Sequence, residues 1–236
     1  MNNEVNAIQA IAFDLDGTLV DSAPDIAHAL NQALNQAGLD AFDLAAVRGW
    51  IGDGPDLLIA RALAVRAPHS AETPALRATL RRDFDAATLA APLSHGAVYP
   101  DMADTLKTLH GTWPLVVVTN KPTALARAVL ESANLLLLFK HVYGADRADL
   151  RKPLPAMLFQ AAHDLGLTTR QVLMVGDSAA DMNAAKEAGA PAALVGWGYG
   201  HSQAGKLEAR WHIHRPQQLM ALLQASHRTA NPLRLQ

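Results

Sequence analysis

The chain has 236 residues, half of them hydrophobic and 18% charged, with a net charge of −2 and no cysteine. That length allows a core domain plus an insertion, and the near-neutral balance gives no electrostatic footing for nucleic acid or a membrane surface. The missing cysteine excludes disulfides and thiolate metal sites. The apolar runs are too short to span a bilayer, and residues 1–6 lack a basic, apolar leader, so a cytoplasmic enzyme is expected.

Residues 8–13 form an apolar run that reads as a buried strand. Asp14 and Asp16 follow it, two residues apart, so an extended backbone points both the same way. Gly17 supplies a tight turn. The gap from there to the next helix of the alternating pattern, residues 102–109, exceeds any ordinary strand-to-helix loop. Ser22 suits a helix N-cap with Pro24 in the first turn and Gly38 at the far end, and residues 55–66 and 73–89 add amphipathic helices. Residues 22–92 are therefore expected to be a helical domain inserted after the first strand.

Strands are expected over 115–118, 142–143, 172–175 and 192–195, with helices over 123–132, 155–165 and 182–188. His212 and His214 flank Ile213 as in a half-exposed strand, and residues 226–236 read as a loosely held tail. Strands alternating with helices predict an α/β fold, a Rossmann-like parallel sheet built from residues 1–21 and 93–225.

In such a sheet, ligands bind beyond the carboxyl ends of the strands. The first strand ends in Asp14 and Asp16, the second in Thr119-Asn120-Lys121, and the strand over 172–175 in Gly176-Asp177-Ser178 with Asp181 beyond. Arg151-Lys152-Pro153 precedes a helix. Acids, hydroxyl, amide and lysine in one cleft suit phosphoryl transfer. One carboxylate attacks, a second trades a proton, and Mg²⁺ offsets the repulsion between carboxylate and phosphate. Thr119, Asn120 and backbone N–H groups grip phosphate oxygens, and Lys152 neutralises charge.

Four motifs, Asp14-Leu15-Asp16-Gly17-Thr18, Val118-Thr119-Asn120, Lys152-Pro153 and Gly176-Asp177-Ser178-Ala179-Ala180-Asp181, occur in that order. In this order they resemble the haloacid dehalogenase superfamily on its phosphatase side, and the insertion sits where that superfamily carries its first type of cap. The resemblance implies that Asp14 forms an aspartyl-phosphate and that Asp16 is the general acid/base. It also implies that Mg²⁺ is held by Asp14, the Asp16 backbone carbonyl and Asp177, with Ser178 and Asp181 in support. Gly17, Thr119, Asn120 and Lys152 would bind phosphate. An acid at Asp16 favours phosphatase or phosphomutase over dehalogenase chemistry, and Thr18 stands where mutase relatives more often carry valine or isoleucine.

Gly49-Trp50-Ile51-Gly52-Asp53-Gly54-Pro55 and Gly196-Trp197-Gly198-Tyr199-Gly200 further resemble phosphoglycolate phosphatases. Asp101 stands where that group usually has glycine. The implied substrate is 2-phosphoglycolate, a small anionic phosphate ester. No nucleic acid or membrane partner is expected, and the protein would act as a monomer or homodimer. Hydrolysis of another small phosphate (a sugar phosphate or pyrophosphate), a phosphosugar mutase and a non-catalytic binding protein are the alternatives.

Overall fold

The computed structural model describes residues 8–69, 73–200 and 208–230. Six parallel strands form the central sheet: β1 (Ala10–Phe13), β4 (Leu115–Thr119), β5 (His141–Gly144), β6 (Val172–Gly176), β7 (Ala192–Val195) and β8 (Trp211–Ile213). Their order is β5-β4-β1-β6-β7-β8. Between β1 and β4 in the chain come a separate antiparallel pair, β2 (Val20–Asp21) with β3 (Ala97–Val98), the inserted helices and α5 (Met102–His110), and α6 (Thr123–Ser132) follows β4.

The alternation of strand residues builds two cores. Ile11, Phe13, Leu115, Val117, Leu173 and Val175 belong to one buried cluster, and Ala10, Ala12, Val116, Val118, Val172 and Met174 to the other. Burial on both faces is why these strands read as continuous apolar runs. The second face carries small residues, Ala10 and Ala12, against Ala161, Ala184 and Ala185 of helices α7 (Ala156–Asp164) and α8 (Ala179–Ala188). Small side chains let these helices approach the sheet closely.

The chain runs from β1 to β4 and β5 on one side, then returns to β6 on the other. That reversal makes the end of β1 the switch point where a crevice opens. Thr119, Asp14 and Asp177 stand at the ends of the adjacent strands β4, β1 and β6.

The insertion packs α1 (Ala23–Gln36), α2 (Leu44–Arg48), α3 (Pro55–Arg66) and α4 (Pro74–Ala90) around Leu30, Leu34, Ile59, Leu63, Leu80 and Phe84. Asp25, in the first turn of α1 and 6% exposed, accepts from the backbone N–H groups of Ser94, His95 and Gly96 at 2.7–2.8 Å. One carboxylate thus ties the outgoing chain to the returning one. Asp25→Ala is expected to cost about 1.5–3 kcal/mol, the worth of hydrogen bonds to a charged group. A urea-midpoint shift equivalent to less than half that would contradict the assignment.

Three expectations need correction. Ser22 occupies the N-cap position of α1 without capping it, because its backbone (φ −93°, ψ 1°) is not in the extended conformation that aims an N-cap oxygen at the first turn, and its hydroxyl donates to Asp16 Oδ1. Helix α8 begins at Ala179, ahead of the expected residue 182, because Ser178 and Asp181 form a reciprocal capping box. Helix α9 (Gln218–Ala230) continues into the stretch read as a tail, where Ser226 is buried and its hydroxyl donates to the Leu223 carbonyl. The rest of that stretch, and residues 1–6, lie outside the described residues. Among the described residues, no helix is long and apolar enough to cross a membrane.

Candidate active site

Lys152 is buried at the strand ends, 2% exposed. Its ammonium donates to Asp14 Oδ1 at 2.8 Å, to Asp181 Oδ1 at 2.5 Å and to the Val118 carbonyl at 2.8 Å. All three of its protons are therefore engaged. Burial alone would disfavour the ammonium, but the two carboxylates outweigh it and hold the lysine charged. Asp181 Oδ2 accepts from both the N–H and the hydroxyl of Ser178, so both of its oxygens have protein donors. Asp14 Oδ1 faces Lys152, and no protein donor reaches its Oδ2 among the described residues.

Asp14, Asp177 and Asp181 each offer a carboxylate oxygen, and the three oxygens lie within 4.8 Å of one another. Burial, followed by the mutual repulsion of these acids, pushes Asp14 and Asp177 above the usual carboxylate range, with Lys152 opposing the shift at Asp14. A buried set of hard oxygen donors with excess negative charge fits a small divalent cation such as Mg²⁺. The Asp16 side chain stands outside this cluster.

Asp177 Oδ2 also accepts from the backbone N–H groups of Tyr199 and Gly200 at 2.6 and 3.1 Å. A Cβ on Gly198 would fall 2.3 Å from Asp177 Cβ, so only glycine lets this loop close over the acid. The glycine-rich run is thus a backbone clamp. The Tyr199 hydroxyl extends the clamp to the insertion, donating to Asp21 Oδ1 at 2.8 Å and accepting from Ala23 N–H at 2.9 Å.

Asp16 accepts from Ser22 Oγ and, on both oxygens, from Lys121 Nζ at 2.9 and 3.0 Å. Lys121 is buried. Gly17 closes the turn after Asp16, its N–H donating to the Val20 carbonyl at 2.9 Å. Thr119 Oγ1 accepts from Lys121 N–H at 3.2 Å, which leaves the hydroxyl proton free to donate.

The Asn120 side chain is engaged within the protein. Its Oδ1 accepts from Lys152 N–H at 2.7 Å, while Nδ2 donates to the carbonyls of Lys152 and Gly52 at 3.0 and 2.8 Å. Its amide therefore fixes the Lys152 backbone and draws in the loop of the insertion. Gly54, at φ +83°, would place a Cβ 2.9 Å from the Asn120 carbonyl, so glycine is required for this approach.

Of the residues singled out from sequence, Asp14, Lys152, Asp177, Ser178 and Asp181 converge in one hydrogen-bonded or close-packed group, with Thr119 and Asp16 lining the adjoining cavity. Asp25 and the pairing of Lys121 with Asp16 were missed. An acid in a helix's first turn reads as a partner of the helix dipole, and no local spacing links Lys121 to a residue so distant in the chain.

The sequence profile of haloacid dehalogenase-like hydrolases matches residues 8–189. A phosphoglycolate phosphatase of Aliivibrio fischeri (strain ATCC 700601 / ES114) is 40% identical over 201 residues, covering 83% of this chain and 87% of that protein. One of Vibrio cholerae serotype O1 is 41% identical over 203 residues, covering 84% and 89%. The crystal structure of a predicted phosphoglycolate phosphatase from Haemophilus somnus 129pt superposes with a TM-score of 0.83 at 30% identity, covering 91% of this chain and 97% of that one. With the profile spanning most of the chain and relatives near 40% identity along nearly their whole length, this chain belongs to the haloacid dehalogenase-like hydrolase family.

Proposed function

We propose that the protein is a Mg²⁺-dependent phosphomonoesterase that hydrolyses 2-phosphoglycolate to glycolate and phosphate through an aspartyl-phosphate on Asp14. The observation that carries this reading is Lys152, which holds one oxygen of Asp14 and leaves the other available for in-line attack. The lysine charge opposes the repulsion between that carboxylate and the phosphoryl dianion. Thr119 donates its free hydroxyl proton to a phosphoryl oxygen.

Asp16 protonates the leaving ester oxygen and then takes a proton from the water that attacks the aspartyl-phosphate at phosphorus. Its present pairing with Lys121 must give way for that transfer. Asn120 acts by positioning Lys152 rather than through its own amide on phosphate.

Asp14, Asp177 and the Asp16 carbonyl would hold Mg²⁺, which supplies charge neutralisation. Asp181, already engaged by Lys152 and Ser178, supports that set from behind. Residues 22–92 serve as a cap that excludes bulk water while the aspartyl-phosphate forms and opens for product release. The names and close identity of the relatives support the substrate, and a cytoplasmic setting accords with the cysteine-free sequence.

Phosphate release from a panel of small esters, with and without Mg²⁺, tests the reading. Preferred, metal-dependent hydrolysis of 2-phosphoglycolate is the expected result. Turnover only with a bisphosphate primer and no free phosphate would replace hydrolysis with a mutase reaction.

The metal assignment has its own readout. Mg²⁺ at about 100 times its Kd is expected to add about 2.7 kcal/mol, a Tm rise of roughly 5–10 °C for a chain of this size. Asp177→Asn replaces a buried acid whose charge burial and its neighbours already disfavour, so it should keep or raise the metal-free Tm and abolish the Mg²⁺ increment. An undiminished increment in that variant would move the metal away from Asp177.

A further inference from the structure

A cavity of about 350 Å³ lies between the insertion and the sheet ends, lined by Asp16 and Asp177 from one side and by Arg48, Gly52 and Arg61 from the other. A substrate with an anionic group at each end needs a second cation there, away from the carboxylates that handle the phosphoryl group.

Most cations at this cleft already have close partners. Lys152 serves Asp14 and Asp181, and Lys121 serves both oxygens of Asp16. Arg151 pairs with Asp56 at 3.1 Å. Arg61 donates to the Trp50 carbonyl at 2.8 Å and pairs closely with Asp53.

Arg48 differs. It ends α2, its side chain is 45% exposed, and its Nη2 lies 3.4 and 3.5 Å from the Asp21 oxygens. A charge-assisted N–H···O bond is shorter, about 2.7–2.9 Å. Its guanidinium carbon sits 5.6 Å from the centre of the Tyr199 ring, beside the loop that clamps Asp177. The guanidinium is thus loosely held at the mouth of the acidic site, and its planar fork matches a carboxylate. Asp21 keeps the hydrogen bond from the Tyr199 hydroxyl when Arg48 leaves it. The exchange therefore strands no charge.

We infer that Arg48 is the specificity residue that binds the carboxylate at the non-phosphoryl end of the substrate, exchanging Asp21 for it. The inference rests on the phosphomonoesterase reading and names the group that reads the rest of the substrate.

Calorimetric binding of two non-hydrolysable phosphonates to the Mg²⁺-loaded full chain tests it. The probes are 3-phosphonopropionate, which carries a carboxylate, and propylphosphonate, which ends in a methyl group. The wild type should prefer the first by about 10–100-fold, the range for one hydrogen-bonded charged group. Arg48→Gln should reduce that ratio to near unity, and Arg48→Lys should restore part of it. Circular dichroism checks that both variants fold.

Persistence of the preference in Arg48→Gln, or no preference in the wild type, overturns the inference. If Arg48→Gln loses the preference that the wild type shows, yet the wild type releases no phosphate from any ester, the hydrolase reading fails while the Arg48 assignment stands.

Discussion

Asp14→Asn lowers kcat for phosphate release by about 10⁴–10⁶-fold, the range met when a nucleophilic unit is broken, while the protein stays folded. The two outcomes separate because the substitution preserves shape. Asn keeps an oxygen to accept from Lys152, and Lys152 keeps its second carboxylate, Asp181. Burial and neighbouring acids already disfavour the Asp14 charge, so a neutral amide relieves repulsion in the metal-free protein. Its urea midpoint should match or exceed that of the wild type. A variant that retains a tenth of the activity would remove Asp14 from the chemistry.

Lys152→Met has the opposite profile, with stability and activity falling together. It strips the cation from two buried carboxylates and a donor from the Val118 carbonyl. Removing one partner of a buried ion pair costs about 3–5 kcal/mol, because the remaining charge keeps its desolvation penalty. Protonation of one acid softens the loss at low pH, so the test belongs at neutral pH or above. The phosphoryl group also loses a preorganised cation, which lowers kcat by about 10²–10³-fold. Urea denaturation and phosphate release on the same preparation check both effects. A stability loss under 1 kcal/mol would mean that the lysine is not the keystone its hydrogen bonds imply.

The parallel sheet was legible because each of its strands that is buried on both faces is an unbroken apolar run, and the polar residues that interrupt those runs lie at strand ends. Asp14, Thr119 and Asp177 could be singled out for that reason. Their adjacency depends on strand order, with β1 flanked by β4 and β6, which no single segment encodes. Strands of two residues, such as β2 and β3, are too short to show a period.

Side-chain partners were the least legible part of the site. Asn120 reads as a phosphate donor until Lys152 N–H and the Gly52 carbonyl are seen to occupy its amide. Ser22 reads as a helix cap until its hydroxyl is found on Asp16. Asp101 was visible as a departure from glycine. The backbone supplies the reason for the usual residue: φ is +63°, in the left-handed region, where aspartate is tolerated better than most side chains.

The most direct measurement is a rapid acid quench of a single turnover of 2-phosphoglycolate with Mg²⁺, followed by mass spectrometry of the peptides. A transient, hydroxylamine-labile phosphoryl group is expected on Asp14, disappearing as phosphate is released and never forming in Asp14→Asn. Phosphate release from the wild type with no phosphoryl group on Asp14 at any quench time, or with one on another residue, would contradict that expectation.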